Sequence, residues 1–356
     1  MPNSPRMLIL YNEPILPSDH PDAASEIEIL DTIQIVGRAL KAAGFTVAKL
    51  GIGQDLRAIV DGLNEEQPDA VFNLFEGFPD RPFTENVVAG VMEWLDVPFT
   101  GSPSETITLA RDKQRTKLAL RGAGLPTAPF FTVDCAPVPE CKLTWPVIVK
   151  PALQDCSVGI EQASVVTNQA ELEQRVTYVL RRFGGPVLVE QFIRGREFHV
   201  ALIEGAPDAH GRCTPLALPL SEIVFTDPAA WPIYSYDAKW AHDSHEFEAT
   251  PLKTLVVVPE PWQRHIVDVA RRAYRVIGCR DYARVDMRVT PEGEPFILEV
   301  NPNPYVGSAG LTDGLAAVGM TYEQFISDVA TAAVARRGGA GGPSAMGALA
   351  NSSETA

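Results

Sequence analysis

The chain has 356 residues, 46% of them hydrophobic and 21% charged, a soluble globular balance with room for two or three domains. Its formal net charge of −15 disfavours nucleic acid as a partner, because displacing counterions from a duplex needs a dense basic face. No stretch approaches the roughly 18 uninterrupted apolar residues of a membrane span. The apolar run Met7–Tyr11 is too short for a signal-peptide core, so a cytoplasmic protein without a membrane partner is expected.

In chain order, Leu8–Tyr11 reads as a strand and Glu26–Ala43 as a helix stopped by Gly44. Strands follow at Thr46–Leu50 and Ala70–Phe75, helices at Leu56–Glu65 and Asn86–Leu95, and Val97–Ser102 closes the unit. Alternation with short joints predicts an open, doubly wound, parallel α/β sheet. The first strand runs into Tyr11-Asn12-Glu13-Pro14 and not into G-x-G-x-x-G, which removes the main support for a dinucleotide-binding Rossmann domain.

From about Asp112 the texture becomes α+β. A helix over Lys113–Ala123 is followed by β-rich segments at Pro146–Lys150, Val158–Val166, Val187–Phe192 and Phe198–Ile203, divided by helix Gln169–Phe183. Strand Leu216–Phe225 leads into Asp227–Glu248, a polar and aromatic stretch too irregular for regular structure and suited to a lid. Helix Trp262–Ile277 and hairpin Ala283–Val300 complete the core. Past Arg337 the chain is mostly Gly, Ala, Ser and Asn and is expected to be disordered. The five cysteines form no C-x-x-C pair and the histidines are scattered, so zinc is not expected.

The strongest chemical signal is the hairpin Arg284-Val285-Asp286-Met287-Arg288 … Ile297-Leu298-Glu299-Val300-Asn301. With Glu292-Gly293 as a two-residue turn, Asp286 lies opposite Glu299 and Arg284 opposite Asn301. All four then project from one sheet face, and Val285, Leu298 and Val300 from the other. Opposed carboxylates repel unless a cation lies between them, and oxygen ligands suit Mg²⁺. The same residues also suit a solvated face on which Arg284 and Arg288 neutralise the acids, and a turn one residue longer would scatter the set over both faces.

Three further segments add to it. Val147-Ile148-Val149-Lys150-Pro151 delivers a lysine at a strand end, before a loop through Ser157-Val158-Gly159 that can fold backbone amides over phosphate. Val187–Ile193, with Glu190 and then Glu197, can offer amides to a purine and a carboxylate to ribose, although strands commonly end in Glu. Tyr236-Asp237-Ala238-Lys239-Trp240 puts a lysine within the long loop.

In order and spacing, Asp112-Lys113, Val147–Pro151, Ser157–Gly159, Tyr236–Lys239, Arg284–Asp286 and Glu299–Asn301 resemble the ATP-grasp superfamily, and within it the D-alanine–D-alanine ligases and related carboxylate–amine ligases. The likeness covers roughly Met7 to Ala335. It implies an N-terminal parallel α/β domain over 1–102, ATP-grasp subdomains over 103–190 and 191–336, and a tail over 337–356. It also implies ATP and two Mg²⁺ ions (Mn²⁺ as a substitute), small carboxylate and amine substrates, and compatibility with a homodimer. By resemblance Lys113, Lys150 and Lys239 contact the ATP phosphates, with Ser157 closing over them. Glu190 and the backbone near Ile193 hold adenine between Ile148 and Leu298, and Glu197 binds ribose. Asp286, Glu299 and Asn301 carry the metal, and Arg284 stabilises the acyl-phosphate and tetrahedral intermediate. The hairpin-face reading reaches those last four residues independently.

The amino-acid side departs from the family. Gln154-Asp155-Cys156 replaces a loop richer in glycine and serine, and Trp240 stands where the ligases usually have Tyr. After Asn301 the Pro-Gly-Met-Thr stretch is missing, and Gly310 sits near the place of the serine for the acceptor carboxylate, with Ser308 close by. Glu26 or Glu28 stands in for the N-terminal Glu-Val-Ser, and the segment Asn73–Gly77, containing Glu76, replaces a His-Gly segment. The expectation is an ADP-forming ligase joining amino acids or similar small substrates. A true D-alanine–D-alanine ligase and a non-catalytic nucleotide-binding protein are the alternatives.

Overall fold

The computed structural model describes residues 4–13, 23–78, 81, 83–204 and 213–337, with side chains described throughout except at 23–28. The expected tail after Arg337 and the side chains of Glu26 and Glu28 therefore lie outside the described residues. The chain divides into two compact units.

The first unit takes Met1–Thr106, Gly278–Asp281 and Gly319–Ala356. It opens with β1 (Arg6–Asn12), α1 (Ala23–Ala42), β2 (Thr46–Ile52), α2 (Arg57–Glu66), β3 (Ala70–Leu74) and α3 (Thr84–Trp94). The strands lie in the order β2-β1-β3 and pair in parallel, as the alternation predicts. Met7–Leu10 and Ala70–Phe72 are fully buried, the continuous apolar run of strands covered on both faces.

After α4 (Ser104–Arg111), the second unit begins its ordered core with α5 (Lys113–Gly122), where the Asp112 side chain caps the helix by accepting from the Arg115 N–H at 3.0 Å. There follow β4 (Phe130–Val133), β5 (Val147–Pro151), β6 (Val165–Val166), α6 (Gln169–Phe183) and β7 (Val187–Gln191). They form an antiparallel sheet in the order β4-β7-β5-β6. On one face Val147, Val149, Val187 and Val189 pack on Leu172, Val176 and Val179 of α6. The period of two puts Ile148, Lys150 and Glu190 on the other face. The β-rich segment expected over 158–166 shrinks to β6, because the chain before it doubles back through Cys156 (φ 55), Ser157 (φ 62) and Gly159 (φ 77).

Next come β8 (Arg196–Ile203), β9 (Leu216–Ala217), β10 (Ser221–Ile223), α7 (Tyr236–Trp240), α8 (His245–Glu248), β11 (Leu252–Lys253), α9 (Glu260–Ile277), β12 (Tyr282–Val289) and β13 (Pro295–Asn301). The antiparallel sheet runs β11-β10-β8-β12-β13, with β9 also on β8. The single strand expected over 216–225 is broken in two around Pro219, which has no N–H for the ladder. Helix α9 buries Ile266, Val269, Ala270 and Ala273 and packs against β8, β12 and β13, so the opposite face of the sheet is left for polar side chains. Helix α10 (Ala309–Ala317) ends the second unit, and α11 (Tyr322–Ala335) returns to the first, where it packs on α1 and β3. Within that unit Asp281 accepts from Arg336 and from the Gly101 N–H, both at 2.8 Å. Among the described residues no helix is long and apolar enough to cross a membrane.

Candidate active site

The hairpin that carries the acids is built differently from the expectation, yet it delivers the same residues. Its turn holds three residues, Pro291-Glu292-Gly293: the Thr290 N–H donates to Glu294 O at 3.0 Å, and the Gly293 N–H to Thr290 O at 2.9 Å. Gly293 has φ +94, and a Cβ there would lie 2.2 Å from Trp262 Nε1, so both conformation and space demand glycine. This longer turn pairs Met287 with Ile297 and would have put Asp286 and Glu299 out of step. A bulge corrects it. Asp286 pairs with Glu299 and Met287 with Ile297, which leaves Leu298 as the extra residue. Ile297 and Val300 are buried, while Leu298 and Glu299 between them are both half-buried, so alternation skips one step there. The expectation that Leu298 faces away with Val300 is thereby corrected.

Registers then align one row across four strands. Glu299 pairs with Asp286, Asp286 with His199, and His199 with Ser221. Directly paired residues share a face, so all four belong to the face opposite α9. Two places along β12, Arg284 makes a two-pronged contact with Asp286, Nε to Oδ1 at 2.7 Å and Nη2 to Oδ2 at 2.8 Å. Asn301 Nδ2 donates to Asp286 Oδ2 at 3.0 Å and to Glu299 Oε1 at 3.4 Å. Burial works against its charge, but Arg284 and the other positive groups around it together outweigh burial and hold the Asp286 carboxyl well below the usual carboxylate range. Burial likewise pushes His199 down to about 4 against the pull of Asp286, so the imidazole is neutral at physiological pH. Two carboxylates and an amide oxygen are a hard donor set that fits Mg²⁺. Among the described residues no three His, Cys, Asp or Glu side chains converge to hold an ion. The remaining ligands would have to be water or phosphate oxygens.

On the smaller sheet, Lys150 and Lys117 both close on Glu190, which is 1% exposed; the Lys117 contact is 2.7 Å. Burial alone would raise this carboxyl, but the two ammonium groups outweigh it and hold it down to about 2. Lys117 Nζ also donates to Thr127 Oγ1 at 2.7 Å. Ile148, paired with Glu190, packs with Val165, Phe192 and Ile233. Lys113 links the loop after β5 to the hairpin: it donates to Gln154 O, lies 3.2 Å from Asp155 Oδ1 and 3.9 Å from Glu299 Oε2.

The stretch expected to be irregular, Asp227–Glu248, contains two short helices, α7 and α8, which correct that expectation. Ser235 and Ser244 supply the caps, accepting from the Ala238 and Phe247 N–H groups at 3.1 Å each. It closes on the loop after β5. Ser157 Oγ donates to Tyr234 O at 2.9 Å, and Trp240 Nε1 donates to Cys156 O at 3.1 Å. Lys239 Nζ lies 5.3 Å from the Trp240 ring centroid, and its charge helps hold down Asp286.

Glu197 is buried against Arg288 Nη2 at 3.0 Å, and burial, reinforced by Asp286, raises its carboxyl despite that partner. Ile193 is buried just before β8. Ser308 is the N-cap of α10 and caps nothing with its side chain, and Gly310 lies in the first turn. Glu76 is exposed after β3 in the first unit, its N–H bonded to Asn12 Oδ1 at 2.8 Å. Sequence reasoning missed Lys117 and His199, and it named Arg288 only as a neutraliser of the hairpin acids, not as the partner of Glu197. Lys117 was within reach, since it stands four residues after Lys113 on one helix and must share its face. His199 and Arg288 needed the strand registers.

A family model for the D-ala D-ala ligase C-terminus matches residues 120–331. The chain is 32% identical over 318 residues to the D-alanine–D-alanine ligase of Pelotomaculum thermopropionicum, covering 85% of this chain and 91% of that protein. It is 33% identical over 295 residues to that of Desulforudis audaxviator, covering 81% and 88%. The fold matches a crystal structure of a D-alanine–D-alanine ligase from Bacillus anthracis complexed with ATP, with TM-score 0.71, 19% identity, and coverage of 94% of this chain and 98% of that one. With its ATP-grasp fold and this degree of likeness, the chain belongs to the D-alanine–D-alanine ligase family and is an ATP-dependent ligase forming C–N bonds.

Proposed function

We propose that this ligase uses ATP to phosphorylate the carboxylate of one amino acid, or of a similar small acid, and joins it to the amine of a second. The observation that carries this reading is the convergence of Arg284, Asp286, Glu299 and Asn301 on one face, with Lys113 Nζ 3.9 Å from Glu299. Lys113, Lys150 and Lys239 meet the phosphates, and Ser157 with its neighbouring amides closes over them. Adenine lies between Ile148 and Leu298, beside Glu190 and the backbone near Ile193, and ribose reaches Glu197. Asp286, Glu299 and Asn301 would hold Mg²⁺, which neutralises phosphate charge when bound.

The chain's own task is positioning and charge. The substrate carboxylate attacks the γ-phosphorus, ADP leaves, and the acyl-phosphate is attacked by the amine. Phosphate then departs from the tetrahedral intermediate, whose negative charge Arg284 stabilises. Asp286 keeps this guanidinium ionised and fixed, so little reorganisation remains to be done during the reaction. Phosphate release on adding ATP, Mg²⁺ and a panel of amino acids tests the reading. Silence across the panel while ATP binds would point to a non-catalytic nucleotide-binding protein.

Gly310, Trp240 and the Asn73–Gly77 segment favour substrates other than a D-alanine pair, with Glu26, Glu76, Ser308 and Gly310 as the candidate contacts. The names of the relatives favour D-alanyl-D-alanine itself. A mass-resolved product screen pairing D-alanine with itself and with L- and D-amino acids decides between them: a preferred D-alanyl-D-alanine product would overturn the first choice.

A further inference from the structure

The residues on either side of Asp112 are both cations, Arg111 at the end of α4 and Lys113 at the start of α5. Their side chains are buried, 8% and 9% exposed, and near enough for the charge of Arg111 to work against that of Lys113. Like charges withdrawn from water together need an anion between them. Asp112 does not supply it: its carboxylate accepts from the Arg115 N–H at 3.0 Å and faces Arg115 Nε at 3.2 Å. The anion comes instead from the loop after β5. Asp155 places Oδ2 2.9 Å from Arg111 Nη1 and Oδ1 3.2 Å from Lys113 Nζ, one carboxylate shared by two cations. The two sides of this contact differ in freedom. The cations are held on helices and shut from water, whereas the Asp155 side chain is 35% exposed. Its backbone is fixed in a turn, with the Val158 N–H donating to Asp155 O at 3.0 Å, so the carboxylate can swing into water while the turn stays. Glu190, shared in the same way by Lys117 and Lys150, is 1% exposed and has no such exit.

We propose that Arg111 is a further phosphate-contacting residue of the nucleotide site, and that Asp155 is an internal anion which ATP displaces from Arg111 and Lys113. This rests on the reading that Lys113 meets the ATP phosphates. A phosphate oxygen that reaches Lys113 enters the space beside the Asp155 carboxylate, and two anions there repel. Phosphate offers more charge and more acceptor oxygens than a carboxylate, and water hydrates the carboxylate that leaves. The guanidinium of Arg111 then faces the incoming oxygens, for which its planar fork is well shaped. The competing account is a permanent bridge that ties the loop to α5. That tie already exists without Asp155, because the Lys113 N–H donates to Ala152 O at 3.1 Å and its Nζ donates to Gln154 O. A permanent bridge also gives no reason for a second buried cation at 111.

The test measures binding of ATP with Mg²⁺, and of adenosine, which lacks phosphate, to the full-length protein by calorimetry. Arg111→Met should weaken ATP about tenfold and adenosine less than about twofold, and Arg111→Lys should recover most of the loss. Asp155→Asn should act in the opposite direction, binding ATP about three- to tenfold more tightly with adenosine unchanged. Its melting temperature without nucleotide should nevertheless fall, because two buried cations lose their anion. A permanent bridge predicts that stability and ATP affinity fall together. The proposal is overturned if Asp155→Asn binds ATP no more tightly than wild type, if Arg111→Met binds ATP as wild type does, or if Arg111→Met loses ATP and adenosine alike. Should Asp155→Asn fail to fold, the double variant Arg111→Met/Asp155→Asn, which buries one cation fewer, takes its place. It should bind ATP more tightly than Arg111→Met, and equal or weaker binding would overturn the exchange. Lys113→Ala separates the two levels of the reading. If it binds ATP as wild type does, the phosphates are misplaced and the proposal falls with that reading; if it loses ATP while the variants at 111 and 155 fail, the proposal alone falls.

Discussion

Glu190 and Glu197 stand seven residues apart in the chain, both buried in the second unit, and their carboxyl groups are shifted in opposite directions. Burial penalises the charge of each. Glu190 meets two ammonium groups, Lys117 and Lys150, and is held down to about 2. Glu197 meets one guanidinium, Arg288, while Asp286 and Glu299 repel it, and it is raised. The number of partners decides the sign, not the depth of burial. The same count separates two surfaces. Around Glu190 cations outnumber the acid, a surplus that suits phosphate. On the polar face of the larger sheet, Glu197, Asp286 and Glu299 outnumber Arg284 and Arg288, the guanidinium groups that β12 sets beside them, a surplus that suits a divalent cation.

The largest effect should come from removing negative charge where it is in surplus. Asp286→Asn and Glu299→Gln should each lower turnover by about a thousandfold or more, since metal assistance is worth several kcal/mol. ATP affinity should change far less, because the cations around Glu190 persist. Near-normal rates at saturating Mg²⁺ in both variants would break the contrast between the two surfaces.

Stability gives the next largest difference. Glu190→Gln leaves Lys117 and Lys150 buried without a counter-charge, and stripping one partner from a buried pair costs about 3–5 kcal/mol. Glu197→Gln relieves repulsion from Asp286 while leaving Arg288 bonded to Gly195 O at 3.0 Å and to Pro232 O, so its cost should be smaller, about 1–2 kcal/mol. Urea unfolding measures both. Equal losses would show that partner count does not govern these sites.

Titration sharpens the comparison further. Glu190 has its folded pKa depressed from 4.5 to about 2, so its pairing contributes stability that is present above 4.5 and is lost as pH falls toward 2. Glu197 is raised, so its contribution is fullest below 4.5 and declines as pH rises through the folded value. Thermal melts between about pH 6 and pH 3 should show a shallower acid decline in Glu190→Gln than in wild type. Glu197→Gln should lose the opposing slope. Parallel curves for all three proteins would count against the assignment.

How much of this was legible in the sequence follows from how local each signal is. Helix α6 was readable to its ends because its apolar stripe, Asn168 cap and terminal Gly184 all lie within one segment. The hairpin face was reached through two departures that cancel. The turn is one residue longer than the residues suggested, and the bulge at Leu298 restores the pairing. A bulge has no reliable local signature, because the alternation it skips is visible only once both strands are aligned. Lys117 and His199 were hidden for different reasons. The first needed the partner strand that carries Glu190, and the second needed the register that sets β8 beside the hairpin.

The smallest effect should come from the segment that spans both surfaces. Its backbone accepts from Ser157 at 2.9 Å, its Trp240 donates to Cys156 O at 3.1 Å, and its Lys239 adds positive charge near Asp286. Trp240→Phe removes one hydrogen bond, worth about 0.5–1.5 kcal/mol, while keeping a ring beside Lys239. Amide exchange over residues 235–241 should then quicken by about three- to tenfold without nucleotide, because local opening draws on that bond. ATP should slow exchange in both proteins by supplying phosphate contacts to Lys239, and KM for ATP should rise less than threefold. Residues around Glu190 should exchange as in wild type, since among the described residues they share no hydrogen bond with this segment. Exchange over 235–241 that responds neither to the substitution nor to ATP would mean that the segment is fixed by its own serine caps, and its closure would then have no part in joining the two surfaces.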